Sequence, residues 1–373
     1  MSSAKTGILL LEDGTIFKGK ASGKLKTSSG EICFNTGMTG YQEVFTDPSY
    51  SGQLLVMTNA HIGNYGYQTE ETESDKVQIS GLICNRFSSF YSRKSADGSL
   101  ESFLTENEIL VIHDIDTRAL VHHIRKKGAM NAIISGEDKS IEELTEMLKN
   151  TPSMEGLELS SKVSVKEAYE FGNPNAEIKI AALDLGIKKN ILRCLDERAC
   201  FIKVFPAKTS FSEMEKWNPN AYFISNGPGD PSPMDYAIQT VKEILDAKKP
   251  IFGICLGNQI LALACGLKTF KLHHGHRGLN HPVINNKSRL SEITSQNHGF
   301  SVSTENLENF PNIEVTHTNL NDNTIAGIRL KDRPAFAVQY HPESSAGPHD
   351  SRYLFDDFVK MIKENMLTHS ITP

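Results

Sequence analysis

Residues 250–266 read PIFGICLGNQILALACG. The apolar run Pro250–Ile254 passes directly into a second apolar run of helical composition, and Cys255 stands at the junction, between Gly253 and Gly257. This is the form of a nucleophile elbow, with Cys in place of Ser. The nucleophile of an elbow sits on a sharp, strained strand-to-helix turn. Glycine on either side removes Cβ atoms that would collide there. Leu256 then opens the helix, so its free backbone N–H can face a developing oxyanion. The positive end of the helix also favours thiolate. On its own the pentapeptide fits a buried structural cysteine equally well. Cys265, within the apolar helix, reads as an inert core thiol.

Outward from the elbow, IKIAALD (178–184), CFIKVFP (200–206), AYFISNG (221–227) and PIFGICL (250–256) are short apolar runs ending in loops. Helix-compatible segments separate them, which predicts a parallel sheet covered on both faces. Sites in such sheets form at the carboxyl ends of strands. A thiolate needs an oriented base, and AFAVQYHPES (335–344) supplies one. Ala335–Tyr340 reads as a strand, and Pro342 keeps His341 extended. Period two places His341 and Glu343 on one side, so the carboxylate can fix the imidazole while the other ring nitrogen faces Cys255. SNGPGDP (225–231) is a rigid loop whose backbone can approach a ligand, with the Gly227 N–H as second oxyanion donor. Each piece alone reads as a turn; their combination in one domain points to chemistry. The last helix, from about Asp350, places Leu354, Phe358, Met361 and Ile362 on one face, to pack on the sheet.

The first 150 residues read as mixed α and β. GILLLEDGTIFKGKA predicts a hairpin turning at Asp13-Gly14. QLLVMTN and EILVIHDID predict strands, and TRALVHHIRKKG a helix stopped by Gly128. Residues 151–177 lose periodicity around Pro152, Gly156, Gly172 and Pro174, and read as a linker between a domain at 1–150 and one at 178–373. A length of 373 residues suits two domains. The net charge of −6 with interspersed signs gives no footprint for nucleic acid or an acidic membrane. There is no bilayer-length apolar run and no signal-peptide core. Six cysteines without a CxxC pair suit reduced thiols, so a cytoplasmic protein is expected.

SNGPGDP, GICLGNQ and QYHPE, in that order, resemble the class I (triad) glutamine amidotransferase domain. GEICFNTGMTGYQEVFTDPSYSGQLL, DIDTRALVHHIRKKG and TSQNHGFSV extend the likeness over essentially the whole chain, to the small-chain family of carbamoyl-phosphate synthase. The resemblance implies an N-terminal mixed α/β small-chain domain followed by a flavodoxin-like, mostly parallel-sheet amidotransferase domain. It implies that Cys255 attacks the glutamine side-chain amide, that His341 moves protons and that Glu343 orients it. The amides of Gly227 and Leu256 would stabilise the oxyanion. Ser49, Gly227, Gly229, Leu256, Gln259, Asn297, Gly299 and Phe300 would surround L-glutamine, and His298 would position its loop. It further implies a large-chain partner that makes carbamoyl phosphate with ATP, Mg and bicarbonate, for arginine and pyrimidine synthesis. That heterodimer can assemble further, and the N-terminal domain is its expected docking surface. No phosphate loop or GxGxxG fingerprint is present, so no cofactor is expected on this chain.

Two departures stand out. Asn258 occupies a position where the family often has His, with little effect expected. His273, His274, His276 and His281 crowd one segment, but their spacing fits no zinc pattern, and a polar loop is expected there with no metal. Two rival readings are a Cys–His peptidase or hydrolase of similar fold and a non-catalytic regulatory paralogue. The synthase-like first domain and SNGPGDP argue against the former. The presence of Cys255, His341 and Glu343 argues against the latter.

Overall fold

The computed structural model describes residues 5–344 and 346–370, the side chains of 369 and 370 excepted. The chain divides into two compact units, Met1–Leu157 with His273–Arg277, and Glu158–Leu272 with Gly278–Pro373. No described helix is long and apolar enough to cross a membrane.

In the first unit seven strands close a barrel in the order Thr6–Leu11, Ile16–Gly23, Leu110–His113, Gly81–Ile83, Gln53–Met57, Thr27–Asn35, Asn131–Ser135. The expected hairpin opens it, pairing Leu10 with Ile16 across a turn in which Gly14 takes φ 85°. Gln53–Met57 is buried on both sides because its alternate residues serve two cores. Leu54 and Val56 pack with Leu9, Ile32 and Ile112, while Leu55 and Met57 pack with Tyr41, Phe45 and Leu100. The expected helix runs Thr117–Lys127, capped by Asp116 accepting from the Ala119 N–H and ended by Gly128 at φ 98°.

The histidine-rich segment contributes His273–Arg277 to this unit. The Ala129 N–H donates to the His273 carbonyl at 2.7 Å, and Arg277 donates to the His274 carbonyl at 3.0 Å. Arg277 also lies 3.8 Å from Glu31, both side chains almost fully buried. No group of three or more His, Cys, Asp or Glu is placed to hold a metal among the described residues.

The second unit is built on a ten-stranded sheet, mixed rather than wholly parallel. Its centre is parallel, in the order Cys200–Pro206, Ile178–Asp184, Ala221–Ile224, Ile251–Ile254, Ala335–Val338. Antiparallel strands extend it on both sides. Alternation again feeds two cores. Ala181 and Leu183 face the helices Asp235–Asp246 and Leu256–Ala264. Ile180 and Ala182 face Lys189–Asp196 and the last helix, Tyr353–Ser370, which buries Leu354, Phe355, Phe358 and Ile362 and packs Met361 beside them.

Three local expectations need correction. The histidine-rich segment is not a polar loop but lies within the strand Thr269–Asn285. Residues 158–171 do not form a featureless linker: Ser160–Val163 is a short helix, and Tyr169–Phe171 pairs with Cys200–Pro206 at the sheet edge. This strand has three residues and faces solvent on both Tyr169 and Glu170, so it carries no apolar alternation to read. The strand before His341 ends at Val338, and His341 joins Ser295 in an isolated bridge instead.

Candidate active site

Cys255 lies between the strand Ile251–Ile254 and the helix Leu256–Ala264, at φ 55° and ψ −102°. A non-glycine residue held there stores on the order of 1–3 kcal/mol of strain, which the surrounding structure must sustain. Part of that support is visible: the Cys255 N–H continues the parallel ladder to the Val338 carbonyl at 2.8 Å. The flanking glycines have steric causes. A Cβ on Gly257 would come 2.1 Å from the Ile224 carbonyl oxygen, and one on Gly253 2.8 Å from the Gly257 backbone. Gly227 is also obligatory. A Cβ there would come 2.0 Å from the Leu185 carbonyl oxygen and 2.8 Å from the Leu256 side chain. SNGPGDP therefore lies directly against the start of the Cys255 helix. Its Gly229 takes φ 92°, a conformation suited to glycine.

Behind the sulfur stands a buried charged relay. His341 Nδ1 is 2.7 Å from Glu343 Oε1, and the same oxygen is 2.7 Å from Lys188 Nζ. All three side chains are buried. Burial alone would raise the Glu343 pKa, yet Lys188 and His341 overcome it and hold the carboxyl well below its ordinary value. Burial likewise favours neutral His341, but Glu343 and the Cys255 sulfur outweigh burial and the Lys188 charge, raising its pKa. The second ring nitrogen, Nε2, has no hydrogen-bond partner among the described residues, although the sulfur is near enough to act on its charge. Carboxylate on one nitrogen and open capacity on the other define an oriented acid–base group.

The remaining expected residues of this unit fall around that axis. The Cys255 sulfur lies 3.6 Å from the Asn297 carbonyl oxygen. Gln259 donates to the Phe300 carbonyl at 2.8 Å, and Asn297, Gly299 and Phe300 share the strand Ser291–Val302. His298 has Nδ1 2.8 Å from the Phe300 carbonyl and Nε2 3.1 Å from Gln296, so both nitrogens are engaged within its own strand. Ser49 belongs to the first unit, in the turn Pro48–Tyr50, with its N–H donating to Asp47.

Two residues went unnoticed in the sequence. Lys188 follows Asp184-Leu185-Gly186-Ile187 as an ordinary exposed-type residue, and only the fold reveals it as the buried counterion of Glu343. Gln339 is 2% exposed; its side-chain oxygen accepts from Asn258 at 3.3 Å and Gln259 at 3.2 Å, while its Nε2 lies 3.8 Å from the Cys255 sulfur. A polar residue directly after the apolar run Ala335–Val338 and two positions before His341 was the available signal.

Residues 181–361 match the family model for glutamine amidotransferase class-I, which is the class this fold defines. Residues 9–134 match that for the carbamoyl-phosphate synthase small chain, CPSase domain. The carbamoyl phosphate synthase small chain of Chlorobaculum tepidum is 47% identical over 95% of this chain and 97% of its own length. That of Synechococcus sp. is 45% identical over 99% and 96%, and that of Aquifex aeolicus 46% over 96% and 99%. The chain belongs to the carbamoyl-phosphate synthase small-chain family.

Proposed function

We propose that this chain hydrolyses L-glutamine to glutamate and ammonia and supplies the ammonia to a large ATP-using partner chain that makes carbamoyl phosphate. The observation that carries the chemistry is Cys255 on its strained turn at a helix N-terminus, backed by His341, Glu343 and Lys188.

The thiolate sulfur attacks the side-chain carbonyl carbon of glutamine, and the carbonyl oxygen becomes an oxyanion facing the N–H groups of Leu256 and Gly227. As the C–N bond breaks, the His341 imidazolium gives its Nε2 proton to the departing nitrogen and ammonia leaves. The carbon then remains as a thioester on Cys255. Water attacks next, and the now neutral His341 takes its proton. The C–S bond breaks to release glutamate and restore the thiolate–imidazolium pair. Glu343 holds the ring throughout. Gly229, Gln259, Asn297, Gly299 and Phe300 line the glutamine in this reading, and the resemblance adds Ser49.

Agreement with small-chain relatives along nearly the whole length supports the partner, since their names denote one chain of a synthase. The test is the full chain combined with a large chain. Cys255→Ser should abolish glutamine-supported carbamoyl phosphate formation and leave ammonia-supported formation intact. Survival of the glutamine-dependent reaction would overturn the reading.

A further inference from the structure

The loop Ser225–Pro231 poses a mechanical problem. Gly227 and Gly229 have no side chains and Pro228 has no N–H, so the loop can be held at its centre only through backbone groups. Those groups are taken by the residues with which the second unit begins. Glu158 forms an isolated antiparallel bridge with Gly229. Ser160, fully buried, donates its hydroxyl to the Pro228 carbonyl at 3.2 Å. The Glu158 carboxylate is itself fixed, accepting from the Ser161 N–H at 2.8 Å and the Tyr236 hydroxyl at 2.9 Å.

The same segment reaches a second loop. The Val165 N–H donates to one oxygen of buried Asp184 at 2.7 Å, and the other oxygen accepts from the N–H groups of Gly186 and Ile187 at 2.8 and 2.7 Å. Lys188 comes next, with its N–H on the Asn226 side chain at 3.2 Å and its ammonium on Glu343. One short stretch thus fastens both the loop carrying Gly227 and the loop carrying the counterion of Glu343.

We propose that Glu158–Val165 is a strap that sets the oxyanion geometry of the glutaminase site, with Ser160 as a positioning residue for Gly227. This rests on the glutaminase reading above. Losing an oxyanion donor outright costs about 100- to 1,000-fold in kcat, and displacing one costs less. Ser160→Ala in the full chain should therefore lower kcat for glutamine hydrolysis roughly tenfold with KM little changed. Alkylation of Cys255 by iodoacetamide uses the thiolate but no oxyanion, so its rate should hold within twofold.

Ser160→Thr, which keeps the hydroxyl, should recover most of the loss. Tyr236→Phe removes a ligand of Glu158 at a half-buried position. It should give a smaller fall of the same kind, and it keeps the test open if Ser160→Ala folds poorly. A kcat unchanged in both variants overturns the strap, as does a loss that alkylation shares in equal measure. Wild-type and Cys255→Ser rates are measured alongside. Their failure to differ would remove the glutaminase reading, whereas failure at the strap leaves that reading standing.

Discussion

Cys33 and Cys255 are both buried and both lie near a buried glutamate partnered by a buried cation, yet they differ in backbone setting and in what stands between carboxylate and sulfur. In the first unit, Cys33 donates to Gln53 at 3.5 Å, Gln53 donates to Glu31 at 3.1 Å, and Arg277 lies 3.8 Å from Glu31. In the second, Glu343 holds Lys188 and His341, and His341 presents a spare nitrogen. Cys33 sits within a regular barrel strand, and burial pushes its pKa up to about 12, despite the opposing charge of Arg277. Cys255 sits at positive φ where a helix begins. A charged pair in the interior does not make a thiol reactive. A turn at a helix start, and a titratable ring between carboxylate and sulfur, are what distinguish the two.

The strongest way to break this contrast is alkylation with iodoacetamide at neutral pH. Both sulfurs are buried, but Cys255 should react at least 100 times faster than Cys33 in the folded chain, by peptide mass mapping, because a thiol whose pKa is pushed up to about 12 offers little thiolate. Comparable labelling of both would show that backbone setting is not the deciding factor.

The relay is tested next. Glu343→Gln should lower kcat for glutamine hydrolysis on the order of 100-fold, since the imidazole loses both its orientation and the charge that keeps it protonated. The His341 titration followed by NMR should fall steeply from the alkaline range, since burial and the Lys188 charge, which both favour the neutral ring, would no longer be opposed by Glu343. Folded Glu343 lies near 2, below its ordinary 4.5, so its stabilisation is complete above about 4.5 and fades as pH falls toward 2. Folded His341 lies near 10, so its share is complete below about 6.5 and fades as pH rises toward 10. Denaturant unfolding of the wild type should accordingly lose stability at both extremes. Glu343→Gln should flatten both slopes, and an unchanged profile would show that the relay is not coupled to folding.

Lys188→Met should act more on stability than on rate. It leaves Glu343 buried with only His341 of its two ion-pair partners, at a cost of about 3 kcal/mol. The expected fall in kcat is only about tenfold, because His341 keeps its carboxylate. Urea unfolding and steady-state kinetics on one preparation would show the split. A kcat loss larger than that of Glu343→Gln would mean that Lys188 touches substrate.

Legibility in the sequence followed the same line of contrast. The elbow could be read because steric demands wrote themselves as Gly253, Gly257 and Gly227, each pressed against a backbone carbonyl or a neighbouring turn. The contact of His341 with Glu343 is expected from extended chain; the structure makes it in a turn instead, with the Ser344 N–H donating to the His341 carbonyl at 3.2 Å, so only the pairing and not its geometry was legible. Short apolar runs located the central strands, the Asp13-Gly14 turn the hairpin, and a one-sided apolar face the terminal helix. Lys188 and Arg277 could not be read, since lysine and arginine ordinarily mark surface and only tertiary placement buries them. Barrel closure was invisible for a related reason: Gly81–Ile83 and Leu110–His113 are short, and their partners lie far along the chain. The segment 158–171 escaped because its interactions run through backbone, hydroxyl and carboxylate groups rather than an apolar stripe.

The smallest effect on chemistry should come from the first pair. Glu31→Gln keeps an oxygen able to accept from Gln53 but leaves Arg277, nearly fully buried, without its anionic neighbour. The expected cost is about 2 kcal/mol, below that of a tightly bonded pair because the 3.8 Å separation is longer than a charge-assisted hydrogen bond. It should appear as a lower urea midpoint for the Trp-free first unit, read by hydrogen exchange at the amides of 29–35 and 130–134. Residues 273–277 should lose protection with them, since the Arg277 side chain donates to the His274 carbonyl. The alkylation rate of Cys255 should stay within twofold of wild type. If it fell tenfold instead, the two buried pairs would belong to one coupled network, and the division between a structural and a chemical glutamate would have to be given up.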